Sequence, residues 1–247
     1  MIFFHTYIPI LFYLIPAFLI TGPFLPDLSL CIIALFGLIF LFRNENQSSF
    51  IKNPIIILLT AFYLYLLLNS LFSKNILISL EHSLFYFRYI FFIISIYLLF
   101  LRLKDKLIEN FLKLTFFSTL ILTIDLYIQY LFGQNIIGYV MDPSIKGMRF
   151  SGLFKDEWIA GSYLSRLLPF VLIYYFYLIK KNNISVKLRF LYLFSICIIF
   201  TGVLLSGERI ATFFSIVQIL FFKIINLKKN KIIKYFIFLL ILFLSIF

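Results

Sequence analysis

Apolar runs of about bilayer length, broken by short polar connectors, repeat along the whole chain. A helix needs about 20 mostly apolar residues to cross a membrane. Nine segments meet or approach that pattern. They are Ile8–Ile20, Leu28–Phe42, Ile55–Phe72, Leu84–Leu101, Phe111–Phe132, a sixth opening at Asp156-Glu157, Val186–Leu205, Ile210–Ile225 and Ile232–Phe247. Within them apolar residues are nearly continuous, without the alternation of barrel strands. In lipid a lone strand would leave its backbone groups unpaired, so the segments are predicted to be helices. The expected fold is an all-α integral membrane protein, a polytopic bundle of about nine transmembrane helices forming one membrane domain over residues 1–247. Pro9, Pro16, Pro23 and Pro26 punctuate the first two spans, which read as two helices rather than a broken hairpin.

Composition agrees with the pattern. Hydrophobic residues make up 63% of the chain and charged residues 13%, too apolar a balance for a soluble domain. A net charge of +12 raises nucleic acid as a partner, but its distribution argues against that. Fifteen Lys/Arg lie in alternate connectors: Arg43 to Lys52, Arg102 to Lys113, Lys180 to Arg189 and Lys223 to Lys234. Those connectors hold three acids, Glu45, Asp105 and Glu109, and 15 − 3 gives the whole +12. Positive connectors face the cytoplasm, so the amino terminus is expected inside. No nucleic-acid partner is expected.

Cys31 and Cys197 sit inside apolar runs and read as core residues. No His/Cys/carboxylate group has metal-ligand spacing, so neither metal nor other cofactor is expected. The amino terminus lacks a basic leader and a small-residue cleavage site.

Polar residues inside the spans carry the remaining information. Asp27 is the lone carboxylate of the first outer turn. It fits either an acid of the kind some membrane glycosyltransferases keep there, or a cap after Pro26. Arg88, one turn into the fourth span, has three readings: a cation snorkelling to the interface, one facing a water-filled cavity, or the partner of Glu81. Asp125 and Gln129 share a helix face, for packing or for lining a site. Asp156 and Glu157 read as the cap and first-turn acid of the next helix. Gly161 and Ser165 suit a close helix contact. Arg166 is expected about ten residues into its span, near the midplane, with a break at Pro169. Arg209 opens a helix at the unfavourable end of its dipole, which calls for Glu208 as its neutraliser or for a bound anion.

Arg88, Arg149, Arg166 and Arg209 all fall toward the outer side under this topology. Guanidinium groups stay charged and bind phosphate oxygens bidentately. They suggest a site for an anion such as a lipid diphosphate; a basic rim against lipid headgroups is the competing reading.

Three stretches carry a family resemblance: Asp125 to Gly138 (DLYIQYLFGQNIIG), Gly147 to Pro169 (GMRFSGLFKDEWIAGSYLSRLLP) and Leu204 to Ala211 (LLSGERIA). They resemble the O-antigen ligase and O-antigen polymerase family of bacterial envelope glycosyltransferases, over roughly residues 120–215. The resemblance implies metal-independent transfer of a glycan from an undecaprenyl diphosphate carrier, at the periplasmic face of the inner membrane. The acceptor would be lipid A–core or another lipid-linked glycan. By that analogy Arg149 and Arg209 would hold the diphosphate. Their common membrane face puts Arg88 or Arg166 in second rank, and membrane lipid is a further expected partner.

Two departures stand out. Asp156-Glu157 replaces a more familiar Pro-Asn, leaving Glu157 as a candidate base. The family also carries a large periplasmic loop with a histidine, then further helices, whereas this sequence ends at Phe247. The expectation is a carboxy-terminally truncated frame that binds donor without transferring it. A transporter or lipid flippase, and a non-catalytic degenerate family member, are the alternatives.

Overall fold

The computed structural model describes residues 2–43, 53–140, 149–181 and 185–226. It is all helical apart from turns and one isolated bridge between Gln134 and Val140. The helices are α1 (Ile2–Phe18), α2 (Phe24–Arg43), α3 (Pro54–Leu71), α4 (Ile76–Leu84), α5 (Phe87–Leu103), α6 (Asp105–Phe132), α7 (Ala160–Lys180), α8 (Val186–Leu205) and α9 (Arg209–Asn226). Among the described residues six stretches are long and apolar enough to cross a membrane: α2, α3, α4 with α5, α6, α7 and α8. Two expected spans are shorter apolar helices, Tyr7–Thr21 and Arg209–Phe222. The last, Ile232–Phe247, lies outside the described residues.

Several boundaries differ from those expected. The outer loop Ser73–Ser83 is mostly α4, an apolar helix in which Glu81 and His82 are exposed. Most of the basic run after Arg102 is helical and continuous with the span that follows it. Lys104 turns the chain with a positive φ of 46°, and one helix then runs unbroken from Asp105 to Phe132. Pro16 lies within α1 and Pro169 within α7, so neither ends its helix. Each only removes one backbone donor.

Packing divides the chain into two compact units, Met1–Phe111 and Leu112–Phe247. In the first, Ile8, Ile33, Leu99 and Leu107 form a buried cluster, with Phe12, Phe36 and Phe92 packed on it. Gly37 lets α2 and α5 approach closely, since a Cβ there would run into the Phe91 carbonyl and the Ser95 hydroxyl. Ser95 also bridges the two helices, donating to the Ile33 carbonyl at 2.6 Å. A small residue and a short hydroxyl are the usual means of drawing helices together where lipid supplies no hydrophobic drive.

The second unit holds α7, α8, α9 and the longer part of α6. Leu122, Leu126, Leu164, Leu168, Val171, Ile199 and Val203 are fully buried in it. So are Thr115, Thr119 and Thr123. The Thr119 and Thr123 hydroxyls return to carbonyls one turn back on α6, at 3.0 and 2.8 Å. A polar stripe can therefore sit inside an apolar bundle without stranded donors. Gly202 of α8 lies against it, where a Cβ would come within 2.7 Å of Thr123.

Candidate functional site

The site is built at the end of the second unit where α6 finishes, α7 begins, and α8 turns into α9. Asp125 and Gln129 lie on the last turns of α6, fully buried. Asp125 Oδ1 accepts the Ile136 amide at 2.8 Å, and Gln129 Oε1 accepts the Gly152 amide at 2.8 Å. Asn135 completes the clamp. Its Nδ2 donates to the Gly152 carbonyl at 2.8 Å, while its Oδ1 accepts the Ile137 and Tyr139 amides at 3.1 and 2.8 Å. Three side chains thus hold the backbone on both sides of the long loop, a task that helix or sheet ladders perform elsewhere.

Gly152 is the hub of the clamp. Its φ is +59°, and a Cβ would lie 2.9 Å from Asp125 Oδ2 and against Leu126 and Leu122. Only glycine takes that conformation freely and also admits the carboxylate. Asp125 Oδ2 and Gln129 Nε2 are buried with no partner among the described residues. The bonds to the Ile136 and Gly152 amides give Asp125 and Gln129 a packing role, the holding of the loop.

Beyond Gly152 a short 3₁₀ turn, Gly152–Phe154, leads to Lys155, whose φ is also positive at 55°. The chain does not become helical until Ala160, and Ile159 provides no side-chain cap. Asp156 and Glu157 therefore do not cap α7. Asp156 instead accepts the Tyr139 hydroxyl at 2.5 Å, and Glu157 is exposed in the turn. The later start also moves Arg166. It stands six residues into α7, about 9 Å along the axis, so it is shallower than the midplane.

The start of α7 is capped from elsewhere in the sequence. Glu208, in the turn between α8 and α9, accepts the Gly161 amide through Oε1 at 2.8 Å and the Ser162 hydroxyl through Oε2 at 2.5 Å. A carboxylate suits a helix amino terminus, where backbone N–H groups and the dipole are positive. Gly161 makes the approach possible, because a Cβ would strike the Ser206 hydroxyl and crowd Glu208. Glu208 is thus not the neutraliser of Arg209. Gly207, with φ +69°, closes the Ser206–Arg209 turn.

Arg209, the first residue of α9, is exposed and has no ion pair among the described residues. Arg166, one turn beyond Ser162 on the same face of α7, is exposed and likewise unpaired. Arg149 is exposed with its guanidinium 5.4 Å from the Trp158 ring centroid. Stacking on an aromatic face leaves the N–H edge free for oxygen ligands.

Arg88 belongs to the first unit, and of its three readings the ion pair with Glu81 is not the one seen. Arg88 meets Asp27 of α2 at 3.3 Å, not Glu81, and stacks near Tyr89 at 5.3 Å. A second guanidinium nitrogen lies 3.7 Å from the Cys31 sulfur. Asp27 is a first-turn residue of α2 rather than its cap, because that helix already starts at Phe24.

Asn135 and Glu208 are the residues that sequence reasoning undervalued. Asn135 follows Gly133 in a loop, where asparagine commonly braces a turn. The cue for Glu208 was its place one residue before a helix, but its target lay 47 residues earlier in the chain.

These features define a polytopic helical membrane protein with six candidate spans among the described residues and a braced, arginine-bearing end. No protein-family model, curated protein or solved structure matches the chain.

Proposed function

We propose that this protein works in bacterial envelope polysaccharide synthesis, as a membrane glycosyltransferase similar to O-antigen ligases and polymerases. Its donor is a glycan on undecaprenyl diphosphate, and its acceptor is lipid A–core or a second lipid-linked glycan. The observation that carries the reading is the joining of the three resembling stretches by hydrogen bonds. Gln129 holds Gly152 of the second stretch, and Glu208 of the third holds Gly161 and Ser162 of the second. Segments about 80 residues apart are thereby braced together, with Arg149, Arg166 and Arg209 left unpaired among the described residues.

In this reading Arg149 and Arg209 hold the diphosphate, with Arg166 in second rank. Arg88 lies in the first unit, where Asp27 offsets its charge, and has no part in this reading. As the acceptor oxygen bonds to the anomeric carbon, the bond from that carbon to the diphosphate oxygen breaks. The guanidinium groups stabilise the negative charge gathering on the departing diphosphate. Glu157, exposed and adjacent in sequence to Trp158, on which Arg149 stacks, is the candidate acceptor of the hydroxyl proton. The surrounding bilayer is the bacterial inner membrane, with transfer on its periplasmic side.

Donor binding tests this directly. Arg149→Lys and Arg209→Lys keep the charge but remove the bidentate fork. Each is expected to weaken binding of a polyprenyl diphosphate to the purified chain by about ten-fold, the equivalent of one charge-assisted hydrogen bond. Unchanged affinity in both variants would remove the diphosphate site.

A further inference from the structure

Along the middle of the second unit, α7, α8 and α9 enclose an apolar groove of about 610 Å³. Leu172 and Phe176 line it from α7, Leu193, Cys197 and Phe200 from α8, and Phe222 from α9. Phe176 and Phe222 stack across it, ring centroids 5.9 Å apart and nearly parallel. Its volume falls within the range of small-molecule pockets, yet no charged residue lines it. In a membrane-spanning unit, hydrocarbon is the natural filling.

Basic residues stand one helical turn beyond the lining of the groove, toward the Lys180–Arg189 connector. Arg189 lies one turn before Leu193 on the same face of α8, and Lys180 one turn after Phe176 on α7. Arg189 Nε is buried without a partner among the described residues, and Lys180 is exposed. Lys187 and Arg189 both sit in the first turn of α8, where the dipole is already positive. The sequence from Lys180 to Arg189 contains no carboxylate to offset them. Neighbouring Lys181 is engaged elsewhere, against the Tyr177 ring at 5.5 Å.

We propose that this groove binds an anionic glycerophospholipid from the leaflet at the basic end of α7 and α8. One acyl chain lies along the groove, and the phosphate sits between Arg189 and Lys180. From Leu193 to Thr201 the α8 wall extends about 12 Å, enough for a substantial length of acyl chain. Basic residues beside clefts between helices recognise anionic headgroups. The site is independent of the proposed glycan donor, which is held at the other end of the unit.

Photolabelling of the full chain tests the proposal. The protein is reconstituted in nanodiscs doped with phosphatidylglycerol bearing a diazirine in one acyl chain, or with the matching phosphatidylethanolamine. Phosphatidylglycerol is expected to label peptides spanning Leu172–Phe176 and Leu193–Thr201 preferentially. Arg189→Gln and Lys180→Gln should each reduce that labelling roughly five-fold, and Arg189→Lys should retain most of it. Cys197→Trp, which fills the groove, should abolish chain labelling there. Monodispersity of each variant on gel filtration and unchanged labelling in Lys106→Gln serve as fold controls. Equal labelling by the two lipids would overturn the proposal. So would labelling that survives Cys197→Trp, or an unlabelled groove, as expected if a second copy of the chain or its own residues 232–247 cover it.

Discussion

Both carboxylate oxygens of Glu208 are taken by the first turn of α7, through the Gly161 amide and the Ser162 hydroxyl. Removing the side chain would strand a helix-terminal donor and a hydroxyl together. Glu208→Ala is therefore expected to cost about 2–4 kcal/mol, as for loss of charge-assisted hydrogen bonds. Unfolding in mixed micelles measures it. Ser162→Ala combined with Glu208→Ala should cost clearly less than the two changes added, since they share one bond. Strict additivity would mean that the contact contributes nothing. At Gly152 the sign is equally fixed. Alanine would place a Cβ against Asp125 Oδ2 in a backbone conformation with φ +59°. Gly152→Ala should destabilise by roughly 1–3 kcal/mol, read from the same unfolding curves, whereas a stability gain would show that the loop is not clamped as described.

At the scale of elements, helix pairs are joined by a few polar contacts set in large apolar faces. Arg88 and Asp27 join α5 to α2 at 3.3 Å. The guanidinium lies in a mainly apolar setting, beside Cys31 and lining a cavity with Leu35, Leu38 and Phe91. Taking away one partner leaves the other charge uncompensated, so Asp27→Ala should be less stable than Asp27→Ala with Arg88→Leu. Thermal aggregation in detergent would rank the two, and the reverse order would reduce the pair to a surface contact. In α3 only 6% of the apolar window is buried, against 50% in α6. The difference separates a helix facing its surroundings from one at the centre of packing. Mean hydropathy could not make that distinction, because α3 is the more apolar of the two. What marks α6 is its recurring Thr, Ser, Asp and Gln on the packed side.

Across the whole molecule, fifteen of the 22 Lys/Arg lie in one alternate set of connectors, which predicts an inside amino terminus. Cysteines introduced at Ser144 and Asn183 check it. An impermeant thiol reagent added outside should label the first and spare the second in a background lacking Cys31 and Cys197. Labelling at Asn183 from outside would invert the orientation.

The sequence by itself determined the helical class and its membrane setting, because backbone groups in lipid leave few other solutions. It also determined most segment positions, and the pairing of Asp125 with Gln129 on one face, since both follow from local spacing. Tertiary structure decided where polar groups find partners. Asp27 rather than Glu81 meets Arg88, and Glu208 rather than Asp156 caps α7. The reason is physical: a carboxylate can satisfy any donor that folding brings within about 3 Å, and separation along the chain does not limit which donor that is. The true start of α7 was hidden for the same cause. Its cap comes from a turn 47 residues later, and the acids beside it in sequence are bound or exposed elsewhere.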